Sequence, residues 1–367
     1  LEPRNFQLAS SMGPAAEKNL QLLFGAVRIR YNLLAGSRKE AEAAYLKAVD
    51  LGSDFQVSPL KGELFLQIAR YLSTRGETNM ALQWAKKALI QFQSCNAQAE
   101  EREATLEVGA VMLAEGRIDE ALEYFNLAEQ TAPRCPSLVG LRLACLRCSA
   151  LFIQGNLSRA QTEARTGLQR ARRLKRREWE LALSFLQARI LFELGSYGEA
   201  CRHFQEALAA EALYPAPAAR DVLYCWLARA MAYGGSPESA QRLLGQQKES
   251  WEQSLFQAEA CYFLRDYSMA LEHCGKALSI IQNPESFAGE RFLWSDGFSG
   301  VEGSCLILAK DGALGLRLIQ GLQAYLWGLQ GSVERAAEQL HAITRSGRIP
   351  EADPYQSCLL YTSDAAD

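Results

Sequence analysis

Histidine is scarce in this sequence: His203, His273 and His341 are the three in 367 residues, and they lie far apart. General acid–base and metal chemistry need such groups held together, so these three read as structural or solvated side chains. No G-x-x-x-x-G-K-[ST] loop occurs, and the glycines come singly, which removes the usual phosphate cradle. Apolar runs long enough for a membrane helix, roughly 18 residues, are missing. The first eleven residues, from Leu1 to Ser11, have neither the apolar core nor the cleavage pattern of a signal peptide. Charge of one sign is missing too, since 39 Lys and Arg face 42 Asp and Glu. Cysteines are present but not clustered in loops. They are scattered through apolar stretches, as buried free thiols are in a reducing compartment, and a cytoplasmic location follows.

What the sequence does have is a beat. Gly36, Gly76, Gly116, Gly155, Gly195 and Gly235 recur at spacings of 40, 40, 39, 40 and 40, and each is followed five residues later by alanine, from Ala41 to Ala240. A period of this size marks an array of similar units rather than a closed globule. In the unit from Arg102 to Pro133, Leu106, Val108, Val111, Met112 and Leu113 precede Gly116, and Ile118, Ala121, Leu122, Phe125 and Ala128 follow it. Both halves have helical three-and-four spacing, and the glycine ends the first as a C-cap does. Asp119 and Glu120 then sit where a helix dipole favours negative charge. Each unit is predicted to be a helical hairpin.

This unit resembles the tetratricopeptide repeat. Gly109 takes the first small position, Gly116 the turn, Ala121 and Ala128 the close-packing positions of the second helix, Phe125 the aromatic between them, and Pro133 the terminator. The same register carries Gly195, Ala200, Phe204 and Ala207 in another unit, and Gly76, Ala81, Ala85 and Ala88 in a third. A seventh unit follows the sixth after only thirty residues, with Arg265 in place of the turn glycine, and an eighth hairpin centres on Gly331. The resemblance implies an all-α fold, a right-handed superhelical solenoid of antiparallel helix pairs. Its forty-residue units are similar to the repeat sensors of large bacterial signalling proteins.

The expected organisation is a repeat array over residues 1–282, an irregular aromatic insertion over 283–304 and a further helical hairpin over 305–357. The last ten residues, Cys358 to Asp367, resemble the translation of a sequencing-library adapter and are set apart as an artefact. The chain reads as a piece of a longer protein. Cys145-Leu146-Arg147-Cys148 is a C-x-x-C without a second pair, and Cys148 falls on the family's small position, so packing is expected rather than metal binding. The basic run Arg170, Arg172, Arg173, Lys175, Arg176 and Arg177 reads as a solvated face, with an acidic protein partner as the alternative.

The resemblance places first helices along a concave groove. Six residues before each turn stand Arg30, Arg70, Ala110, Ser149, Arg189, Arg229 and Glu259, and three further on come Leu33, Ser73, Leu113, Phe152, Phe192, Ala232 and Tyr262. Arginine forks and aromatic anchors recur at peptide-binding interfaces. The candidate groove is therefore Arg30, Arg70, Phe152, Arg189, Phe192, Arg229 and Tyr262, the alternative being that these arginines pair with carboxylates of neighbouring repeats. The expected function is a non-catalytic scaffold that takes a peptide or partner helix of acidic character. The competing reading is the sensor region of a larger bacterial ATPase, cyclase, kinase or transcription regulator. No enzyme activity, cofactor, metal, nucleic acid, membrane or small-molecule substrate is expected.

Overall fold

The computed structural model describes residues 14–34, 38–52, 57–130, 138–213, 217–282 and 312–345. Gly36, Pro133, the insertion expected at 283–304 and the tail from Cys358 lie outside the described residues. Within them are sixteen helices and no strand. In chain order these are α1 Pro14–Leu34, α2 Arg38–Gly52, α3 Pro59–Arg75, α4 Thr78–Ser94, α5 Gln98–Ala114, α6 Ile118–Gln130, α7 Leu138–Ile153 and α8 Leu157–Arg173. There follow α9 Arg177–Glu193, α10 Tyr197–Leu213, α11 Pro217–Tyr233, α12 Pro237–Leu244, α13 Trp251–Phe263, α14 Tyr267–Ile281, α15 Gly312–Leu329 and α16 Val333–Arg345.

Local chemistry sets the helix ends. Ser58 accepts the Lys61 N–H at 3.2 Å and Pro59 opens α3, so an orphan donor is satisfied and a residue without an N–H sits where none is needed. At the other end Gly76 has φ 78°, its N–H donates to Ser73 O at 3.1 Å, and the Glu77 N–H donates to Leu72 O at 3.0 Å. That pair of bonds is the Schellman arrangement, which needs a left-handed residue. The pair recurs at Gly116, Gly155, Gly195, Gly235 and Gly331, and at the seventh turn Arg265 holds the same conformation with φ 62°. The forty-residue beat is thus a repeated C-cap. Its one contraction has a local cause: α12 spans only 8 residues and stops at Gly245, which brings the next turn forward.

The first-helix positions Gly109 and Gly315 are small because aromatic rings occupy their space. A Cβ on Gly109 would lie 2.6 Å from Phe125 Cε1, and one on Gly315 would lie 2.8 Å from the Trp251 ring. Cys148 stands at the register position of Gly109: it is buried, its Sγ donates to Ala160 O at 3.4 Å, and burial pushes the thiol well above its ordinary value.

The chain divides into two compact units, with the division between Trp179 and Glu180 near the start of α9. In the first, α1, α3, α5 and α7 pack in succession with the second helices alongside, and buried apolar residues from Leu22 to Ala150 form one core. In the second, α11 and α13 pack side by side, and α13, α14, α15 and α16 each pack on the next. First helices are enclosed more fully than a one-sided stripe predicts: every residue from Ala104 to Leu113 of α5 is buried. α5 touches its own second helix α6, the preceding second helix α4 and the first helices α3 and α7, so even its polar positions leave water.

Candidate ligand-binding faces

Of the candidate residues, Arg30, Arg70 and Phe152 belong to the first unit, on α1, α3 and α7; Arg189, Phe192, Arg229 and Tyr262 belong to the second, on α9, α11 and α13. Arg30 and Phe152 are half-buried, whereas Arg70 is 7% exposed. Arg70 donates from Nε to Glu107 Oε2 at 3.2 Å and from Nη2 to Glu103 Oε2 at 3.0 Å, both on α5. On the far side Arg142 Nη2 of α7 donates to the same Glu107 oxygen. Burial works to raise the Glu107 carboxyl, but Arg142 and Arg70 together outweigh it and hold the group below the ordinary carboxylate range. Glu103 is held down in the same way by Arg70, Arg142 and Arg30.

This network is not closed. Arg142 Nε and Nη1 and Glu107 Oε1 are buried without a hydrogen-bond partner within the protein. Buried polar groups of this kind cost stability until something satisfies them. Arg142, Glu103 and Glu63 each stand thirteen residues before their turn glycine, and Glu107 and Gln67 stand nine before theirs. They share a face with the position six before the turn. The expected groove set omits them, although the same register extended by one helical turn contains them.

In the second unit Arg229 makes a two-pronged bridge to Glu259, Nε to Oε2 at 2.8 Å and Nη2 to Oε1 at 2.7 Å. Its guanidinium carbon lies 4.7 Å from the Phe256 ring centre, 4.9 Å from Trp226, 5.0 Å from Phe192 and 5.7 Å from Tyr233. Burial opposes its charge, and the Glu259 carboxylate more than offsets that, so the proton is held more tightly than in free arginine. Arg189 stacks on Trp226 at 3.4 Å and lies 4.0 Å from Glu193. Burial, joined by the Arg229 charge and resisted by Glu193 and Glu252, draws its proton affinity below the ordinary value. Phe192 is edge-on to Trp226, Tyr197 and Tyr233. Tyr233 in turn meets Phe263, and Phe263 meets Tyr262, whose hydroxyl lies 3.4 Å from that of Tyr325. The structure thus brings Arg189, Phe192 and Arg229 into one cluster, with Tyr262 joined through aromatic contacts. Arg70 and Arg229 both have carboxylate partners on the next first helix.

The three histidines lie on three different helices. His203 on α10 faces Glu206 at 3.1 Å, His273 is buried on α14, and His341 is exposed on α16. No group of three His, Cys, Asp or Glu side chains there could hold a metal, and no helix there is long and apolar enough to cross a membrane.

No family model and no curated protein matches the sequence. Solved structures do match. One is a Rap protein complexed with competence and sporulation factor, with TM-score 0.59 and 14% identity over 89% of this chain and 86% of that one. The apo quorum sensor NprR from B. thuringiensis matches with TM-score 0.51 and 15% identity over 88% and 97%. A signal-transduction ATPase with numerous domains and a tetratricopeptide repeat sensor, from Pyrococcus horikoshii, matches with TM-score 0.53 and 13% identity over 93% of this chain and 48% of that one. At these identities the likeness is one of fold: a helical array of the tetratricopeptide type.

Proposed function

We propose that this tetratricopeptide-type array is a non-catalytic binding module whose first helices receive a peptide or partner helix. The supporting observation is the open network on α3, α5 and α7. Arg142 Nε and Nη1 and Glu107 Oε1 are hydrogen-bonding groups that the protein leaves unmet, and because they are buried a peptide amide would satisfy them only after the side chains that cover them move aside. Arg30, Arg70 and Phe152 line the proposed face of the first unit, and Arg189, Phe192, Arg229 and Tyr262 that of the second. Acidic ligand side chains are recruited by Arg30 and Arg189, which stand on these faces, while Arg70 and Arg229 chiefly organise their neighbours through Glu107 and Glu259. The Rap protein was solved in complex with competence and sporulation factor, which favours a binding role for the similar array here.

The test selects peptides from a random library on the purified chain. We expect enriched sequences to carry Asp or Glu, and capture to fall at least tenfold in Arg30→Gln/Arg189→Gln at unchanged helicity. Failure to select any peptide, or equal capture by the double variant, overturns the proposal. Arg229 is left intact in this test because removing one partner of a buried pair costs about 3–5 kcal/mol and confounds binding with unfolding.

The likeness to the repeat-sensor ATPase favours a second reading, in which the array is the sensor of a larger signalling protein. The uninterrupted gene separates the two: an adjoining nucleotide-binding or cyclase motif supports the sensor, and a repeat array alone supports an adaptor.

A further inference from the structure

The second helix α8 and the turn after it carry charge out of proportion to the rest of the chain. Residues 157–177 hold eight cations, Arg159, Arg165, Arg170, Arg172, Arg173, Lys175, Arg176 and Arg177, against the single acid Glu163, a local sum of +7. The whole chain is −3, so everything outside this segment sums to −10. All eight cations are exposed. The opposite side of α8 is Ala160, Ala164, Gly167, Leu168 and Ala171, small residues that seat the helix close to α7. Glu163 is engaged elsewhere, accepting from Arg147 of α7 at 3.1 Å. Arg176 has Glu178 at 3.7 Å, whereas Arg159, Arg165, Arg173 and Lys175 take no ion pair among the described residues.

The helix dipole accounts for only part of this. Cations in the last turn suit it, but Arg159 sits in the first turn, where a cation is disfavoured, and Arg165 sits mid-helix. Arg170 and Arg173, three apart on the same face, repel each other. Such a concentration of like charge is relieved by an anion.

We infer that this face of the first unit docks a short Asp- or Glu-rich protein segment, at a surface separate from the first-helix faces. Seven of the eight cations are arginine, whose planar fork matches carboxylates. The span from Arg159 to Arg173 is about 21 Å along the helix, the reach of about six or seven extended residues. An anionic membrane is disfavoured because no large apolar residue is exposed between Leu157 and Arg177 to enter the interface. Single-stranded nucleic acid is disfavoured because the segment has no aromatic residue to stack a base. A long duplex gains affinity with each phosphate neutralised, and beyond these few arginines it meets a chain that is negative in sum.

The test titrates fluorescent octaglutamate into the full chain at about 0.15 M salt, where only close charges act strongly. We expect affinity to drop at least tenfold in Arg165→Ala/Arg172→Ala/Arg173→Ala, with helicity retained because all three are exposed, and to be unchanged in Arg202→Ala, an exposed arginine of α10 outside both proposed surfaces. Equal binding by the triple variant overturns the inference. So does displacement of octaglutamate by a short DNA duplex or by phosphatidylserine vesicles at lower concentration than unlabelled octaglutamate, which assigns the surface to nucleic acid or membrane.

Discussion

At the residue scale, single side chains decide whether helices can approach. Gly109 has Phe125 where its Cβ would be, so Gly109→Val forces the ring or the backbone to move. Overpacking of this kind costs about 1–3 kcal/mol, and thermal unfolding should show a correspondingly lower Tm, whereas an unchanged Tm would deny the close approach. Glu107 gives a pH-dependent counterpart. Its folded-state affinity for a proton is below that of an ordinary carboxylate, so its contribution is present at neutral pH and is lost as pH falls through the depressed folded value. Glu107→Gln should be less stable at pH 7 by about 3 kcal/mol and should show a flatter acid-unfolding profile than the parent. Gly109 and Phe125 are legible in the sequence because each follows from the position of a glycine. The charge network is only half legible: the register finds Arg70, Arg229 and Glu259 in one row, but Glu107 and Arg142, on other turns of the same helices, emerge only when packing shows which helical turns face one another.

At the element scale, the turns carry the sequence signal. Of nine described left-handed caps, six use glycine with φ between 74° and 89°, Arg265 has 62°, and Asn96 and Lys175, which follow second helices, have 55° and 53°. A left-handed non-glycine residue costs about 1 kcal/mol, so Arg265→Gly should raise the stability of the α13–α14 hairpin by about that amount, read as a higher midpoint in urea. A lower midpoint would mean that the arginine side chain has a stabilising role of its own. The short α12 is marked in the sequence only by a weakened sixth repeat, since Leu244 and Gln247 replace the usual residues. The near-complete burial of α5 is not visible in its pattern, because apolar residues on every face of a helix do not say which neighbours cover them.

At the scale of the whole molecule, the glycine beat runs unbroken through the division between Trp179 and Glu180. It does so because the glycine belongs to the turn inside each hairpin, so the rhythm reports local structure rather than the bounds of a compact unit. The proposed function is also a property at this scale, since it assigns recognition to first helices and excludes most second helices. Hydrogen–deuterium exchange of the full chain with and without a selected peptide tests that assignment most directly. Slowed exchange should appear in α3, α5 and α7, or in α9, α11 and α13, with α4, α6, α10 and α14 unchanged. Protection confined to those second helices would contradict the account.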